Sequence, residues 1–310
     1  MRRILAIDGG GIKGVFPASF LSTVEDTLND RVAKYFDLIV GTSTGGIIAL
    51  ALGLGLSAKQ ILDFYENAGP RIFGGNRLLK FLRHIGFSKY SQGPLKEALT
   101  SVFRDSTMRD SNTRLVIPSL NLETGEVYVY KTPHHPKLER DGKVGVVDVA
   151  LATSAAPTYF PTHRSAAGTP LIDGGMWANN PTGMAVVEAI GILGWPRDSL
   201  QVLSIGCTTT PVGVGWGRDY ALGLGYWGSK VVDIFMTAQS SASLGTAQLL
   251  VGHERVVRVS PNVGKGRFAI DSVGEMPSLK GLGDSEARKS LPTLRKVFLT
   301  TPAEAVSFHS

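Results

Sequence analysis

Cysteine is almost missing from this chain: Cys207 is the single one in 310 residues, so no intrachain disulfide is possible and the fold must rest on its core. Long apolar runs are missing too. The longest candidate, Gly45 to Leu56, falls short of the roughly 18 residues a membrane-spanning helix needs, and Lys59 follows it. At the N-terminus only Ile4 to Ile7 stand between Arg3 and Asp8, too few for the apolar centre of a signal peptide, which leads to the expectation of a cytoplasmic protein. Charge is not clustered: no Lys/Arg run exceeds two residues, although the sum is +6 and the pI about 9.4. Such a balance suits anionic lipid surfaces or nucleotides, and a mildly basic solvated surface explains it equally well. Internal repeats, low-complexity tracts and DNA- or RNA-binding motifs are absent, so no nucleic-acid partner is expected. What is present is 43% hydrophobic residues with a mean hydropathy near zero, enough for one large α/β domain, or one plus a small cap.

The chain is organised around residues 37 to 54. Leu38 to Val40 predict a buried strand, and Gly41-Thr42-Ser43-Thr44-Gly45 fits the G-x-S-x-G pattern of a nucleophile elbow. The turn at Ser43 demands small residues on either side, and Gly41 and Gly45 supply them. The residues from Ile47 to Leu54 are apolar almost all round, which predicts a buried helix whose positive end faces the serine oxygen.

Upstream, Arg3 to Asp8 predict a short buried strand, then Gly9-Gly10-Gly11-Ile12-Lys13-Gly14, then a helix carrying Phe16, Phe20, Leu21, Val24 and Leu28. Successive glycines leave N–H groups unobstructed and able to hold an anion. A dinucleotide fingerprint would need an acidic residue where Ser43 stands, and a P-loop would need Lys-Ser/Thr after Gly14, where the chain has Val15-Phe16. An oxyanion hole explains both loops, because neighbouring parallel strands end at the same sheet edge. Lys13 would add positive charge there.

Further along, Ser57 caps a helix to Gly69, and Pro70 to Gln92 mix Arg71, Arg77, Lys80, Arg83, His84 and Lys89 with apolar residues. This segment is expected to be an amphipathic surface helix, or a membrane-facing cap. Strands are predicted over Arg114 to Asn121 and Glu126 to Lys131. His134-His135 lacks partners at metal-ligand spacing and is expected in a loop. A helix over Val146 to Ala156 stops at Pro157. Pro170 to Asp173 form a strand that ends in a carboxylate followed by Gly174-Gly175. That pattern alone describes a turn, but beside an elbow serine Asp173 is a candidate base. Asn180 is the expected cap, with Pro181 at the first helical position of the next helix; Gln201 to Gly206 and His253 to Val259 are strand-like, and Gly213 to Gly228 is a candidate lid. A triad is disfavoured, since the elbow follows only about two strands and the downstream histidines available are His253 and His309.

At this point the chain resembles the patatin-like phospholipases: their Asp-Gly-Gly-Gly-x-Lys/Arg-Gly, G-x-S-x-G and Asp-Gly-Gly/Ala motifs stand here at residues 8 to 14, 41 to 45 and 173 to 175, in order. The resemblance covers roughly residues 3 to 210 and implies a three-layer α/β/α fold with a mostly parallel central sheet and a cap or lid region. It implies one domain over 1–310, with helical or lid elements from about 211. It further implies a lipid acyl hydrolase with Ser43 as nucleophile, Asp173 as proton acceptor, and Gly9, Gly10, Gly11, Lys13 and Gly14 around the oxyanion, with no histidine and no metal. Within the family, the Gly-rich opening and the Tyr35 to Leu50 run are similar to bacterial anti-phage effectors activated by a cyclic di- or trinucleotide, which degrade the cell's own membrane; the partners this implies are a phospholipid surface at the inner membrane, a cyclic oligonucleotide and a second copy of the chain in a homo-oligomer. Alternatives from other classes are a constitutive lipid esterase, a non-catalytic nucleotide-binding module, and a membrane-binding or storage protein.

Overall fold

The computed structural model describes residues 1–74, 86–210, 220, 223–227, 230–264 and 267–308. Arg77, Lys80, Arg83, His84, His309 and most of the Gly213 to Gly228 stretch therefore lie outside the described residues. Among the described residues eight strands make one sheet: β1 (Arg2–Ile7), β2 (Leu38–Gly41), β3 (Arg114–Asn121), β4 (Val127–Lys131), β5 (His163–Arg164), β6 (Pro170–Asp173), β7 (Leu200–Ile205) and β8 (Val256–Val259). β1 pairs in parallel with β2 and β7, β2 with β3, and β7 with β8; β4, β5 and β6 join antiparallel.

Side-chain alternation along β1 builds two cores. Leu5 and Ile7 pack with α1 (Val15–Leu28), α2 (Thr44–Gly53) and α3 (Ala58–Phe73), whereas Ile4 and Ala6 pack with Val186 and Ala189 of the Thr182–Gly191 helix and Ala247 and Val251 of the Val231–Val251 helix. Helices thus cover both faces, giving the three-layer α/β/α arrangement. Both faces of β1 and β2 being covered explains why Ile4 to Ile7 and Leu38 to Val40 are apolar without interruption.

Several elements depart from their predicted bounds. α3 continues through Pro70 to Phe73, because Phe73 packs edge-on against Tyr90 and Phe160, which holds the last turn in place. The helix from Val146 ends at Thr153, before Ala156: the carbonyls of Thr153 and Ala155 accept from Gly174 and Asp173 instead of continuing the helix. Asn180 sits one residue outside the cap of its helix, its Oδ1 accepting from the Thr182 N–H at 3.1 Å. Only Val256 to Val259 of the 253–259 stretch is a strand. The region after 210, expected to supply helical or lid elements, also supplies β8 to the sheet and a long helix, Met276–Val297, to the layer that packs on α1. Among the described residues, no helix is long and apolar enough to cross a membrane.

Candidate active site

β2 ends at Gly41 and α2 begins at Thr44, so Ser43 occupies the turn between them. Its φ of 54° and ψ of −122° are a conformation that costs a residue with a side chain about 1–3 kcal/mol. Surrounding bonds hold it there. The Ser43 N–H donates to Thr153 Oγ1 at 3.0 Å, that hydroxyl donates to the Pro118 carbonyl at 2.6 Å, and Thr42 Oγ1 donates to the Ala178 carbonyl at 2.5 Å. The flanking glycines are required by close approach: a Cβ on Gly41 would stand 2.1 Å from the Gly45 carbonyl oxygen, and one on Gly45 would stand 2.3 Å from that of Ile7.

The pairing of β3 explains how Asp173 reaches this serine. One edge of β3 is taken by β4. Because Val116 and Ser119 each pair with β4, their partners in β2 and β6 must lie on the opposite edge, one after the other. β2 runs parallel to β3 and β6 antiparallel, so their carboxyl ends point at each other, Val40 opposite Val116 and Asp173 opposite Ser119. The elbow and the carboxylate meet head to head.

Ser43 and Asp173 line the same cavity, close enough for the serine hydroxyl to favour the carboxylate form of Asp173, whose Oδ1 accepts the Gly175 N–H at 2.7 Å. Asp173 is buried, and burial pushes its carboxyl up from 3.8 to about 6 against the opposing pull of the Ser43 hydroxyl and the Gly175 N–H. Gly174 packs against the Pro118 carbonyl. A carboxylate of this kind is ionised at neutral pH and more basic than an exposed one, which suits proton abstraction.

The glycine loop follows β1, the neighbour of β2, and lies beside the elbow: a Cβ on Gly9 would stand 3.2 Å from Ser43 Cβ. Its members differ in what they offer. The Gly9 N–H donates to the Asn179 carbonyl at 2.9 Å and is spent. Gly14 does not line the cavity; it sits behind, where a Cβ would stand 2.2 Å from Thr44 Oγ1. Gly10 and Gly11 do line it, and among the described residues their N–H groups have no acceptor. Gly11 has φ +58°, and the Ile12 N–H beyond it is held by the Ile270 carbonyl at 2.8 Å. Of the five residues expected around an oxyanion, these two carry open donors; Lys13 contributes charge to the cavity wall.

The cavity holding Ser43 and Asp173 measures about 1010 Å³. Ile47, Phe64, Ile72, Phe73 and Phe160 bring apolar surface to its wall, and Thr209, Ser240 and Ser260 bring hydroxyl side chains, a mixture suited to an amphiphile. Among the described residues, no histidine lines it. His134 is buried elsewhere, its Nε2 3.1 Å from Glu188 Oε1 and its Nδ1 2.7 Å from Thr132 Oγ1, and burial holds it below its usual pKa. Among the described residues, no cluster of His, Cys, Asp and Glu is placed to hold a metal.

Two supports escaped the sequence. Arg258 of β8 bonds both oxygens of buried Asp8, at 2.8 and 2.5 Å, and also donates to Ser204 Oγ at 2.7 Å, fixing the first residue of the glycine loop. Its only sequence signal is a lone charge among the valines of Val256 to Val259. Thr153 holds the elbow, with no signal beyond its position ahead of Pro157.

The doubly covered sheet, with its serine elbow opening on a largely apolar cavity, is the architecture of a lipid ester hydrolase. A profile of patatin-like phospholipases matches residues 5–186, across both Ser43 and Asp173, and the chain belongs to that family. It is 35% identical to a cGAMP-activated phospholipase of Pseudomonas aeruginosa, over 99% of this chain and 94% of that one. A cGAMP-activated phospholipase of Vibrio cholerae is 33% identical over 80% of this chain and 76% of its own. Among solved structures, VipD from Legionella pneumophila shares the fold, with a TM-score of 0.50 at 13% identity over 94% of this chain and 67% of that one.

Proposed function

We propose that this chain is a single-domain phospholipase A-type acyl hydrolase that acts through Ser43 and Asp173 and is switched on by a cyclic oligonucleotide. The observation that carries the chemistry is the convergence of the elbow serine and a buried carboxylate, raised to about 6, on one cavity. Asp173 takes the Ser43 hydroxyl proton as Oγ attacks the ester carbonyl. The tetrahedral oxyanion accepts from the Gly10 and Gly11 N–H groups, an interaction whose loss costs about 2.7–4 kcal/mol per donor. Collapse breaks the ester C–O bond, and the departing lysolipid oxygen takes the proton from Asp173. Water then attacks the acyl-serine by the same route, releasing fatty acid and restoring the Ser43 hydroxyl.

Regulation is supported by likeness to two relatives named cGAMP-activated phospholipases. An anti-phage effector of this kind works in the cytoplasm, on the inner membrane. The test is mass spectrometry of products from mixed bacterial phospholipids, with and without a panel of cyclic di- and trinucleotides. Wild type is expected to release fatty acid and lysolipid only with one of them, and Ser43→Ala and Asp173→Asn to release none. Full activity in either variant overturns the dyad. Activity that is high without nucleotide and unchanged by the panel overturns the switch and favours a constitutive lipid esterase.

A further inference from the structure

The helix Val231–Val251 turns an apolar face to solvent. At about 100° per residue, Val231, Phe235, Ala238, Ala242, Gly245 and Leu249 fall on one stripe along its whole length, roughly 30 Å. Val231 is 55% exposed, Phe235 52% and Leu249 85%. The opposite face is the one that packs: Ala247 and Val251 are buried there, and Ser240 and Ser243 accept hydrogen bonds from the Asn180 side chain and the Gly183 N–H. The helix has one charged residue, Asp233, and it lines the cavity instead of joining the stripe. The solvent face of a helix is ordinarily polar, and a contiguous apolar strip of this length marks an interaction surface.

Two observations say what covers it. First, Val232, Met236 and Leu244 of the same helix line the cavity that holds Ser43, and Met176, 41% exposed, lines it too. Val232, 63% exposed, stands at the edge of the stripe and in the cavity wall, so a surface lying on the stripe reaches the rim of the cavity that holds Ser43. Second, the stripe begins beside Tyr226, Trp227 and Lys230, with Lys230 Nζ 3.9 Å from the centre of the Tyr226 ring. Tyrosine, tryptophan and lysine together suit the head-group depth of a bilayer, where rings stay half wet and the ammonium meets phosphate.

We propose that this stripe is the membrane-docking surface of the protein. The helix lies flat in the interfacial layer of a phospholipid bilayer, with Val231, Phe235 and Leu249 entering the acyl boundary and Lys230 at the head groups. The proposal rests on the lipid-hydrolase function of the Ser43 site and names the face through which that site meets its substrate. A second copy of the chain is the competing occupant, and the aromatic-lysine end and the wall shared with the cavity favour lipid over it.

The test uses the full chain with Val231→Asp, Phe235→Asp and Leu249→Asp, singly and combined; none of the three lines the cavity. Binding is measured by co-sedimentation with vesicles of phosphatidylethanolamine and phosphatidylglycerol. Hydrolysis of a water-soluble short-chain ester reports on Ser43, with and without the cyclic-nucleotide panel, and sedimentation velocity reports on self-association. Vesicle partitioning of the combined variant is expected to fall roughly tenfold or more, and vesicle hydrolysis with it, while short-chain ester hydrolysis and circular dichroism stay at wild-type values. Equal vesicle binding by wild type and combined variant overturns the proposal, as does a wild-type dimer that the substitutions split while vesicle binding survives. Helix-dependent vesicle binding by a protein that hydrolyses no ester would uphold docking and remove the Ser43 chemistry. Ester hydrolysis without helix-dependent binding would do the reverse.

Discussion

Asp173→Asn should abolish hydrolysis and at the same time stabilise the fold, and the second effect can be worked out from the site. The carboxyl is buried and raised from 3.8 to about 6, so ionising it in the folded protein is harder than in the unfolded chain by about 3 kcal/mol. Below pH 3.8 the group is protonated in both states and no penalty exists. Between 3.8 and about 6 only the unfolded chain ionises, and stability falls as pH rises. Above about 6 the full penalty is present. Asparagine keeps an acceptor for the Gly175 N–H and can still meet the Ser43 hydroxyl, but it carries no charge to desolvate. Urea unfolding at pH 8 should therefore show the variant more stable by up to about 3 kcal/mol, and at pH 3.5 the two proteins should be nearly equal. The paired assay is ester hydrolysis at pH 8, where the variant should be silent. An Asn variant no more stable than wild type at pH 8 would mean that the Asp173 charge is not buried at a cost, and the account of it as a strengthened base would fail.

The same carboxylate sets the rate profile: kcat/KM on a soluble ester should fall about tenfold per pH unit below pH about 6, measured by steady-state kinetics across pH 4.5 to 8. Thr153→Val removes the acceptor for the Ser43 N–H and should lower kcat while KM holds, at a stability cost of about 1–3 kcal/mol in thermal unfolding. Gly45→Ala forces a Cβ against two backbone carbonyls of the β1 end and should cost about 3 kcal/mol in urea unfolding. Arg258→Met leaves Asp8 buried and unpaired, for a loss of about 3–5 kcal/mol, while the double variant Asp8→Asn/Arg258→Met should recover most of that loss in the same measurement.

The parts of the site that were legible in the sequence are strand ends followed by small residues: Asp8 with Gly9 to Gly11, Gly41 to Gly45, and Asp173 to Gly175. Each is a local string obeying local rules of turn and close approach, and β1 beside β2 followed from the intervening helix. The meeting of Ser43 with Asp173 obeys no local rule. It depends on β3 being long enough to seat β2 and β6 in succession along one edge, and on the register of β6 there. Because strand side chains alternate, a slip of one residue would turn Asp173 away from Ser43 and bring Ile172 round in its place. Ser119 opposes such a slip: its hydroxyl donates to the Ile172 carbonyl at 2.7 Å and its own carbonyl accepts from Trp177 Nε1 at 2.9 Å. Arg258 was hidden for a related reason, since its partner Asp8 lies across the sheet, beyond β7, with nothing in the intervening chain to connect them. The glycine loop shows the limit in the other direction. Gly9 and Gly10 look alike as letters, and only the Asn179 carbonyl, which occupies one N–H and leaves the next, separates a structural amide from one open to an oxyanion.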